Sequence, residues 1–210
     1  SIWKGEFLDR REKLSRKKRW EELDEDTAYS AKQLDDDVVN PNQIRTIIKS
    51  FKEHLPELFE HRLNDNGEFE VPKTLIFAKS DSHADDIINI VRQEFGQGND
   101  FCKKITYQAP EDPKSVLAQF RNAYNPRIAV TVDMIATGTD IKPVEIVMFM
   151  RAVKSRAFFE QMRGRGVRVC KPDDLRAVTP DAEVKDHFVI VDAVGVCEQD
   201  MTDSKPMEKK

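Results

Sequence analysis

The hydrophobic positions follow two different periods along the chain. Before about residue 72 they recur every three or four residues, and the clearest stripe predicts one buried helix face, formed by Ile44, Ile47, Ile48, Phe51 and Leu55. Asn40 followed by Pro41 is typical of a helix start, so this helix is expected to begin there. Residues 64–67 (NDNG), followed by Val71 and Pro72, indicate a turn and a boundary, after which the pattern changes.

The segment before that helix is highly charged. Opposite charges four positions apart support an exposed helix from about residue 5, the pairs being Glu6/Arg10, Asp9/Lys13 and Glu12/Arg16. The basic run 10–19 is interpreted as a solvated helix face, with a contact to nucleic-acid phosphates as the alternative. The chain therefore divides into a helical lead-in or insertion over residues 1–71, an α/β domain over 72–196 and a polar tail or linker over 197–210.

After residue 72, short apolar runs alternate with helical stretches. Five runs are predicted to be strands, at residues 74–78, 104–107, 128–132, 145–150 and 188–191, and the segments 82–95 and 113–123 have helical periodicity. Near-continuous apolar runs suit strands that are buried on both faces. The alternation predicts a parallel, doubly wound α/β sheet with flanking helices. Ligands of such sheets bind at the carboxyl ends of the strands, so the loops after Ala78, Val132 and Met150 are expected to be functional.

Composition narrows the class of protein. No apolar run approaches the roughly 20 residues that span a bilayer, and the charged first residues lack a secretory signal and are expected to continue from a longer chain. Cys102, Cys170 and Cys197 form no metal-ligand pattern, which predicts a reduced, cytoplasmic setting without structural metal. The net charge of −4 confines any nucleic-acid contact to a local surface.

The most informative segment covers residues 158–168 (FFEQMRGRGVR). If it is helical, Gln161, Arg165 and Arg168 share one face, so two guanidinium groups and an amide project together. Paired arginines suit a transferring phosphoryl group, because their forks donate to its equatorial oxygens and offset the charge that develops there. The simpler interpretation is an exposed basic helix end.

A second segment follows the predicted strand at residues 128–132. In residues 136–141 (ATGTDI), Gly138 lies between two threonines and Asp140 follows. The backbone N–H and hydroxyl groups of such a turn can bind phosphates, while the carboxylate accepts from a ribose hydroxyl. A plain turn with glycine at positive φ is the alternative. Both segments come at the carboxyl end of a strand, which favours the functional interpretation of each.

Three segments together resemble motifs of helicase superfamily 2. Residues 73–79 (KTLIFAK) are similar to motif IV, residues 136–141 to motif V and residues 161–168 (QMRGRGVR) to motif VI. The phrases at 125–130 (NPRIAV) and 159–166 (FEQMRGRG) are similar to R subunits of type I restriction enzymes. The resemblance covers about residues 73–192. It implies the second RecA-like motor lobe of an ATP-driven DNA translocase, preceded by a helical element.

The resemblance implies roles at the nucleotide for five residues. Arg165 and Arg168 would face the γ-phosphate of ATP as catalytic arginine fingers, and Gln161 would position them. Gly138 and Asp140 would lie beside the nucleotide, the carboxylate near the ribose. The γ-phosphate itself would be held by the other lobe.

The resemblance also implies a nucleic-acid path and a set of partners. Lys79, Ser80 and Thr137 would border the DNA. Many members of the superfamily have threonine at the position of Val132 and arginine at that of Thr137, so the DNA contacts follow the family less closely than the ATP contacts. The implied partners are duplex DNA, the N-terminal RecA-like lobe of the same parent chain, and the methyltransferase and specificity subunits of a restriction complex.

Two expected features of an ATPase are absent from the sequence. No glycine begins a Gly-Lys-Ser/Thr sequence, and no apolar strand ends in an Asp-Glu pair that would organise Mg²⁺. ATP and Mg²⁺ are therefore expected to be held mainly by the other lobe, and this chain alone is expected to be inactive.

Three alternative functions stay open at this point. The chain could be a lobe of another superfamily 2 helicase that acts in repair or on RNA, or a non-motor module that binds DNA or a protein. The third alternative is a stand-alone nucleotide-binding enzyme with a Rossmann-like sheet. That enzyme would need a glycine-rich loop after the first strand, where the sequence has residues 79–82 (KSDS).

Overall fold

The strands form one mixed sheet. The computed structural model describes residues 5–9, 17–19, 40–132, 143–151, 170–182 and 187–193. The strands in these ranges are β1 (Gly5–Asp9), β2 (Lys17–Arg19), β3 (Thr74–Phe77), β4 (Cys102–Ile105), β5 (Ile128–Thr131), β6 (Ile146–Phe149) and β7 (His187–Asp192). Their order in the sheet is β2-β1-β7-β6-β3-β5-β4. The five strands β3 to β7 are parallel, whereas β1 pairs antiparallel with both β7 and β2.

The parallel part of the sheet is wound in two directions from its centre. β3 lies in the middle, and the chain first fills the side with β5 and β4 before it crosses to add β6 and β7 on the other side. A parallel strand needs a crossover connection, and the connections from β3 to β4, from β4 to β5 and from β6 to β7 each contain a described helix. The predicted doubly wound parallel α/β sheet is therefore confirmed.

Within the described ranges four helices flank this sheet, and local sequence explains where they begin. They are α1 (Pro41–Leu58), α2 (Asp81–Phe95), α3 (Pro113–Asn122) and α4 (Pro172–Val178). Proline, which needs no hydrogen-bond acceptor at a helix start, begins three of them. The side chain of Asn40 accepts from the backbone N–H of Asn42 at 2.9 Å and caps α1 as the sequence predicts. Gly96 ends α2 in the left-handed conformation, at φ 60°.

The main core lies between the sheet and helices α1 and α2. The predicted stripe of α1 is confirmed, because all five of its apolar side chains are buried. They pack with the buried side of α2 and with one face of the strands, which includes Ile76, Val130 and Met148. On the opposite face of the same strands, the rings of Phe77 and Phe149 stack, with their centroids 5.4 Å apart. Both faces of the central strands are thus covered, as their continuous apolar sequences predict.

The predicted turn at residues 64–67 is also present. The side-chain oxygen of Asn64 accepts from the backbone N–H groups of Asn66 and Glu68, at 3.0 and 2.9 Å. Gly67 has φ 76°, a conformation that favours glycine. This turn returns the chain toward the first parallel strand.

Two sequence predictions differ from the structure. Gly5–Asp9 and Lys17–Arg19 are strands, where charge pairs predicted a helix. Each pair is worth only a few tenths of a kcal/mol, less than a ladder of backbone hydrogen bonds to the open edge of β7. β4 begins two residues earlier than predicted, because its position is fixed by pairing of Cys102 with Ile128 rather than by its own polar sequence.

Candidate functional site

The carboxyl ends of the central strands lie side by side. Phe77, the last residue of β3, pairs with Thr131 of β5 and with Phe149 of β6. The ladder continues one step beyond, since the N–H of Ala78 donates to the carbonyl of Thr131 at 2.7 Å. The chain segments that follow β3, β5 and β6 therefore leave the sheet from one edge, where the sequence predicted the functional loops.

Only two of the predicted site residues fall within the described ranges. Lys79 and Ser80 connect β3 to α2 at this edge, and both are exposed. The others lie outside the described residues, so their positions remain predictions: Thr137, Gly138, Asp140, Gln161, Arg165 and Arg168. The first three follow β5 in sequence and the last three follow β6.

The Lys79–Ser80 connection has a defined geometry. Ser80 caps α2, and its hydroxyl oxygen accepts from the backbone N–H of His83 at 3.2 Å. The His83 ring turns back, and its Nδ1 accepts from the backbone N–H of Lys79 at 2.9 Å. The imidazole is buried, with 1% of its surface exposed. Sequence reasoning missed His83, although its position three residues after the cap is that of a capping-box partner.

A charged cluster fastens the start of α2 to β4. Lys104 Nζ donates to Asp81 at 3.0 Å and to Asp85 at 2.7 Å, and the hydroxyl of Thr106 donates to Asp81 at 2.8 Å. Burial raises the pKa of Asp81, but the hydrogen bonds from Lys104 and Thr106 outweigh it, so the pKa is lowered. Burial alone would lower the pKa of Lys104. The hydrogen bonds and negative charges of Asp85 and Asp81 outweigh this effect, so the pKa is raised. The cluster holds the loop after β4 against the Lys79–Ser80 connection.

A further contact joins the ends of β5 and β6. Arg151, two residues beyond β6, donates from a guanidinium nitrogen to the carbonyl of Val132 at 3.3 Å. The hydroxyl of Thr131 donates to the carbonyl of Ile105 at 2.8 Å. Hydrogen bonds therefore join the carboxyl end of β5, which precedes residues 133–142, to the carboxyl end of β6, which precedes residues 152–169. A further hydrogen bond joins β5 to β4.

The opposite, amino edge of the sheet carries buried charge with a structural role. Lys73, Arg127 and Glu145 directly precede β3, β5 and β6, and each is at most 1% exposed. Arg127 donates to the carbonyls of Val71 and Tyr124, each at 2.9 Å, and also to that of Val178. The third nitrogen of its guanidinium donates to the hydroxyl of Thr179 at 2.7 Å. These contacts bind α4 and the loop before β5 to the sheet, away from the predicted site.

Lys73 is a second buried base at this edge. Its side-chain nitrogen Nζ donates to the carbonyls of Ala123 and Pro126, at 2.7 and 2.6 Å, and lies 5.1 Å from the ring centroid of Phe120. Burial, and then the nearby positive charge of Arg127, lowers the pKa of Lys73 to about 6. Its isolation from solvent identifies Lys73 as a structural residue, although it begins the motif IV-like sequence.

The described ranges contain no cluster of metal ligands and no membrane-spanning helix. Within them, no group of three or more histidine, cysteine or acidic side chains could hold a metal ion. Among the helices of the same ranges, none is long and apolar enough to cross a bilayer.

Comparison with known proteins defines the class of protein. Residues 53–170, more than half of the chain, match the helicase conserved C-terminal domain. The match includes the segments after β3, β5 and β6 that contain the predicted site residues. The chain therefore belongs to the helicase C-terminal domain family, and its parallel sheet is the RecA-like sheet of such domains.

The chain is similar to subunits of type I restriction enzymes. It is 37% identical over 106 residues to the EcoKI endonuclease subunit of the type I restriction enzyme of Escherichia coli, covering 47% of this chain and 9% of that protein. It is 25% identical over 157 residues to the EcoAI endonuclease subunit from the same species, covering 70% and 18%. The chain thus spans less than a fifth of the length of these relatives.

The fold is also similar to that of a solved structure. It is a fragment assigned to the HsdR subunit of a type I restriction enzyme from Vibrio vulnificus, with a TM-score of 0.61 and 20% sequence identity. The superposition covers 87% of this chain and 32% of that one. At this identity the likeness supports the fold alone.

Proposed function

We propose that this chain is the second motor lobe of an ATP-dependent DNA translocase, within the R subunit of a type I restriction endonuclease. The observation that carries the proposal is the family match over residues 53–170. It spans the segments 136–141 and 161–168, and each segment follows a strand whose carboxyl end lies at the same edge of the sheet. The similarity to two type I endonuclease subunits supports the choice of enzyme.

The proposed chemistry is hydrolysis of ATP between two lobes. ATP and Mg²⁺ are held mainly by the first lobe, because this sequence has no Gly-Lys-Ser/Thr loop. Arg165 and Arg168 extend toward the γ-phosphate and stabilise the charge that develops on its oxygens in the transition state. Gln161 positions the two arginines, while Gly138 and Asp140 contact the nucleotide beside them.

The DNA path uses the neighbouring part of the same edge. Lys79 and Ser80 are exposed in the connection between β3 and α2. Thr137 follows β5, which is the neighbour of β3 in the sheet. An ammonium, a hydroxyl and backbone N–H groups are the groups that contact phosphates without reading sequence. Hydrolysis opens and closes the lobes, and these contacts convert that motion into movement along duplex DNA.

The proposed assembly follows from the same similarity. In a type I restriction complex, the methyltransferase and specificity subunits recognise the DNA, and translocation delivers it to a nuclease domain of the R subunit. A lobe of another superfamily 2 helicase, in repair or on RNA, is the alternative. It would hydrolyse ATP by the same residues but would not depend on those partner subunits.

Substitution of the two arginines tests the proposal in the parent protein that carries both lobes. Arg165→Ala and Arg168→Ala are each expected to lower DNA-stimulated ATP hydrolysis by about 10³- to 10⁵-fold. ATP binding should change far less, because a finger acts mainly in the transition state. Arg165→Lys should not restore the rate, since an ammonium lacks the planar fork.

The matched control is Arg176→Ala. Arg176 lies on α4, is exposed and pairs only with Asp173 within the described contacts, at 2.9 Å. The Arg176→Ala variant should hydrolyse ATP at the wild-type rate. If both Arg165→Ala and Arg168→Ala also stay within about threefold of wild type, the finger assignment is wrong and the segment is an exposed basic helix end.

A further inference from the structure

The backbone of the Lys79–Ser80 connection is held by one buried side chain. The hydrogen-bond ladder of β3 ends at Ala78, whose N–H donates to Thr131 at 2.7 Å. The next N–H, that of Lys79, has left the ladder and instead donates to Nδ1 of His83 at 2.9 Å. At Lys79, the first residue beyond this ladder, His83 therefore supplies the hydrogen-bond acceptor that a neighbouring strand supplies within the sheet.

The same histidine also fixes Ser80. Its backbone N–H donates to the Ser80 hydroxyl oxygen at 3.2 Å. Because Nδ1 accepts this hydrogen bond, it carries no proton of its own in this arrangement. The ring is 1% exposed, so packing in the first turn of α2 limits its movement. Both exposed residues of the connection are thus anchored to one rigid group.

We infer that His83 is a positioning residue for the DNA contact made by Lys79 and Ser80. The inference rests on the proposed function, which assigns these two residues to the DNA path. A contact residue on a free loop must be ordered when the ligand binds, and that ordering weakens binding. His83 orders the connection before DNA arrives, although it does not itself reach the surface.

The rival role for His83 is simple filling of the core. Two variants separate the roles because they conserve opposite properties of the ring. His83→Asn keeps an acceptor, Oδ1, in about the place of Nδ1 but loses most of the ring volume. His83→Leu keeps much of the volume but has no acceptor for the Lys79 N–H. A core-filling role predicts that leucine is tolerated better, and a positioning role predicts the reverse for DNA binding.

The test measures DNA-stimulated ATP hydrolysis in the parent protein over a range of duplex DNA concentrations. His83→Leu is expected to raise the half-saturating DNA concentration about tenfold, the equivalent of one lost hydrogen bond. Its rate at saturating DNA should stay near wild type, because the arginines are untouched. His83→Asn should raise the half-saturating concentration less than threefold.

Controls distinguish the inference from the function on which it rests. Ile87→Ala removes a fully buried side chain one turn along α2 and should lower thermal stability without changing the half-saturating DNA concentration. If Lys79→Ala weakens DNA binding but His83→Leu does not, or if asparagine is as harmful as leucine, the positioning role is overturned. If Lys79→Ala also leaves DNA binding unchanged, the proposed DNA path and the positioning role both fail, while the arginine-finger test remains unaffected.

Discussion

Breaking the buried ion pair between Arg62 and Glu145 should strongly destabilise this domain. Two parallel hydrogen bonds join the guanidinium to the carboxylate, at 2.9 and 2.6 Å. The two side chains are only 7% and 1% exposed. The guanidinium also lies 5.1 Å from the ring centroid of Phe59. The pair fastens the turn before β3 to the start of β6.

Removing one partner leaves the other charge buried without compensation. Arg62→Ala is therefore expected to lower the free energy of unfolding by about 3–5 kcal/mol, a large part of the roughly 5–15 kcal/mol typical of a domain. The double variant Arg62→Met/Glu145→Met should recover much of this loss, because two apolar side chains carry no desolvated charge.

Urea unfolding of the 210-residue chain, followed by circular dichroism, measures these differences. The exposed pair of Arg176 with Asp173 provides the control, since its side chains are 50% and 94% exposed. Arg176→Ala should cost about 0.5 kcal/mol or less. A loss below about 1 kcal/mol for Arg62→Ala, or a double variant less stable than the single one, would mean that the unpaired buried charge costs little.

Two further predictions concern Lys73 and DNA binding. The pKa of Lys73 is lowered in the folded chain from its ordinary value of 10.5 to about 6. Between these two pH values, the unfolded chain therefore holds a proton on Lys73 that the folded chain lacks. The free energy of unfolding should thus rise with pH in that window, by up to about 1.4 kcal/mol per pH unit more than in Lys73→Met. Urea unfolding across this pH range measures both proteins, and an equal dependence on pH in the two would contradict the prediction. Because the net charge is −4, the chain should bind duplex DNA weakly and lose binding steeply in a salt titration, whereas a tight, salt-insensitive complex would indicate a base-reading module.

Much of the fold could be predicted because periodicity and helix caps are local signals. The stripe of α1, its start after Asn40 and the turn ending at Gly67 agree with the structure. The five parallel strands were found from their apolar sequences, with boundaries in error by one or two residues. β4 was the least accurate, because Lys103 and Lys104 interrupt its apolar pattern and long-range pairing with β5 decides where it begins.

The buried charges were not predicted, since a lysine or arginine in a sequence is ordinarily assigned to the surface. Their burial depends on carbonyl groups supplied by distant segments: Arg127 donates to Val71 and Val178, both more than 50 residues away. No periodic pattern contains that information. The occurrence of Lys73, Arg127 and Glu145 immediately before three apolar strands is the only local sign of this cluster.

The candidate site was predicted in location more than in detail. The parallel register brings the ends of β3, β5 and β6 to one edge, as the alternation of elements indicated. Lys79 and Ser80 lie there, but the contribution of His83 depends on a side chain that turns back toward its own loop. For Arg165 and Arg168 the assignment depends on the family motif, since a helical face alone does not distinguish a finger from a solvated surface.

The proposed function makes this chain one half of an ATPase site. Steady-state phosphate release should be measured for the purified 210-residue chain, with and without duplex DNA, and for the same sequence joined to its first motor lobe. We expect no turnover by the chain alone and DNA-stimulated turnover by the joined protein, because the loop that holds the β- and γ-phosphates is absent from this sequence. Turnover by the 210-residue chain alone that disappears in Arg165→Ala would show that this chain holds a complete ATPase site.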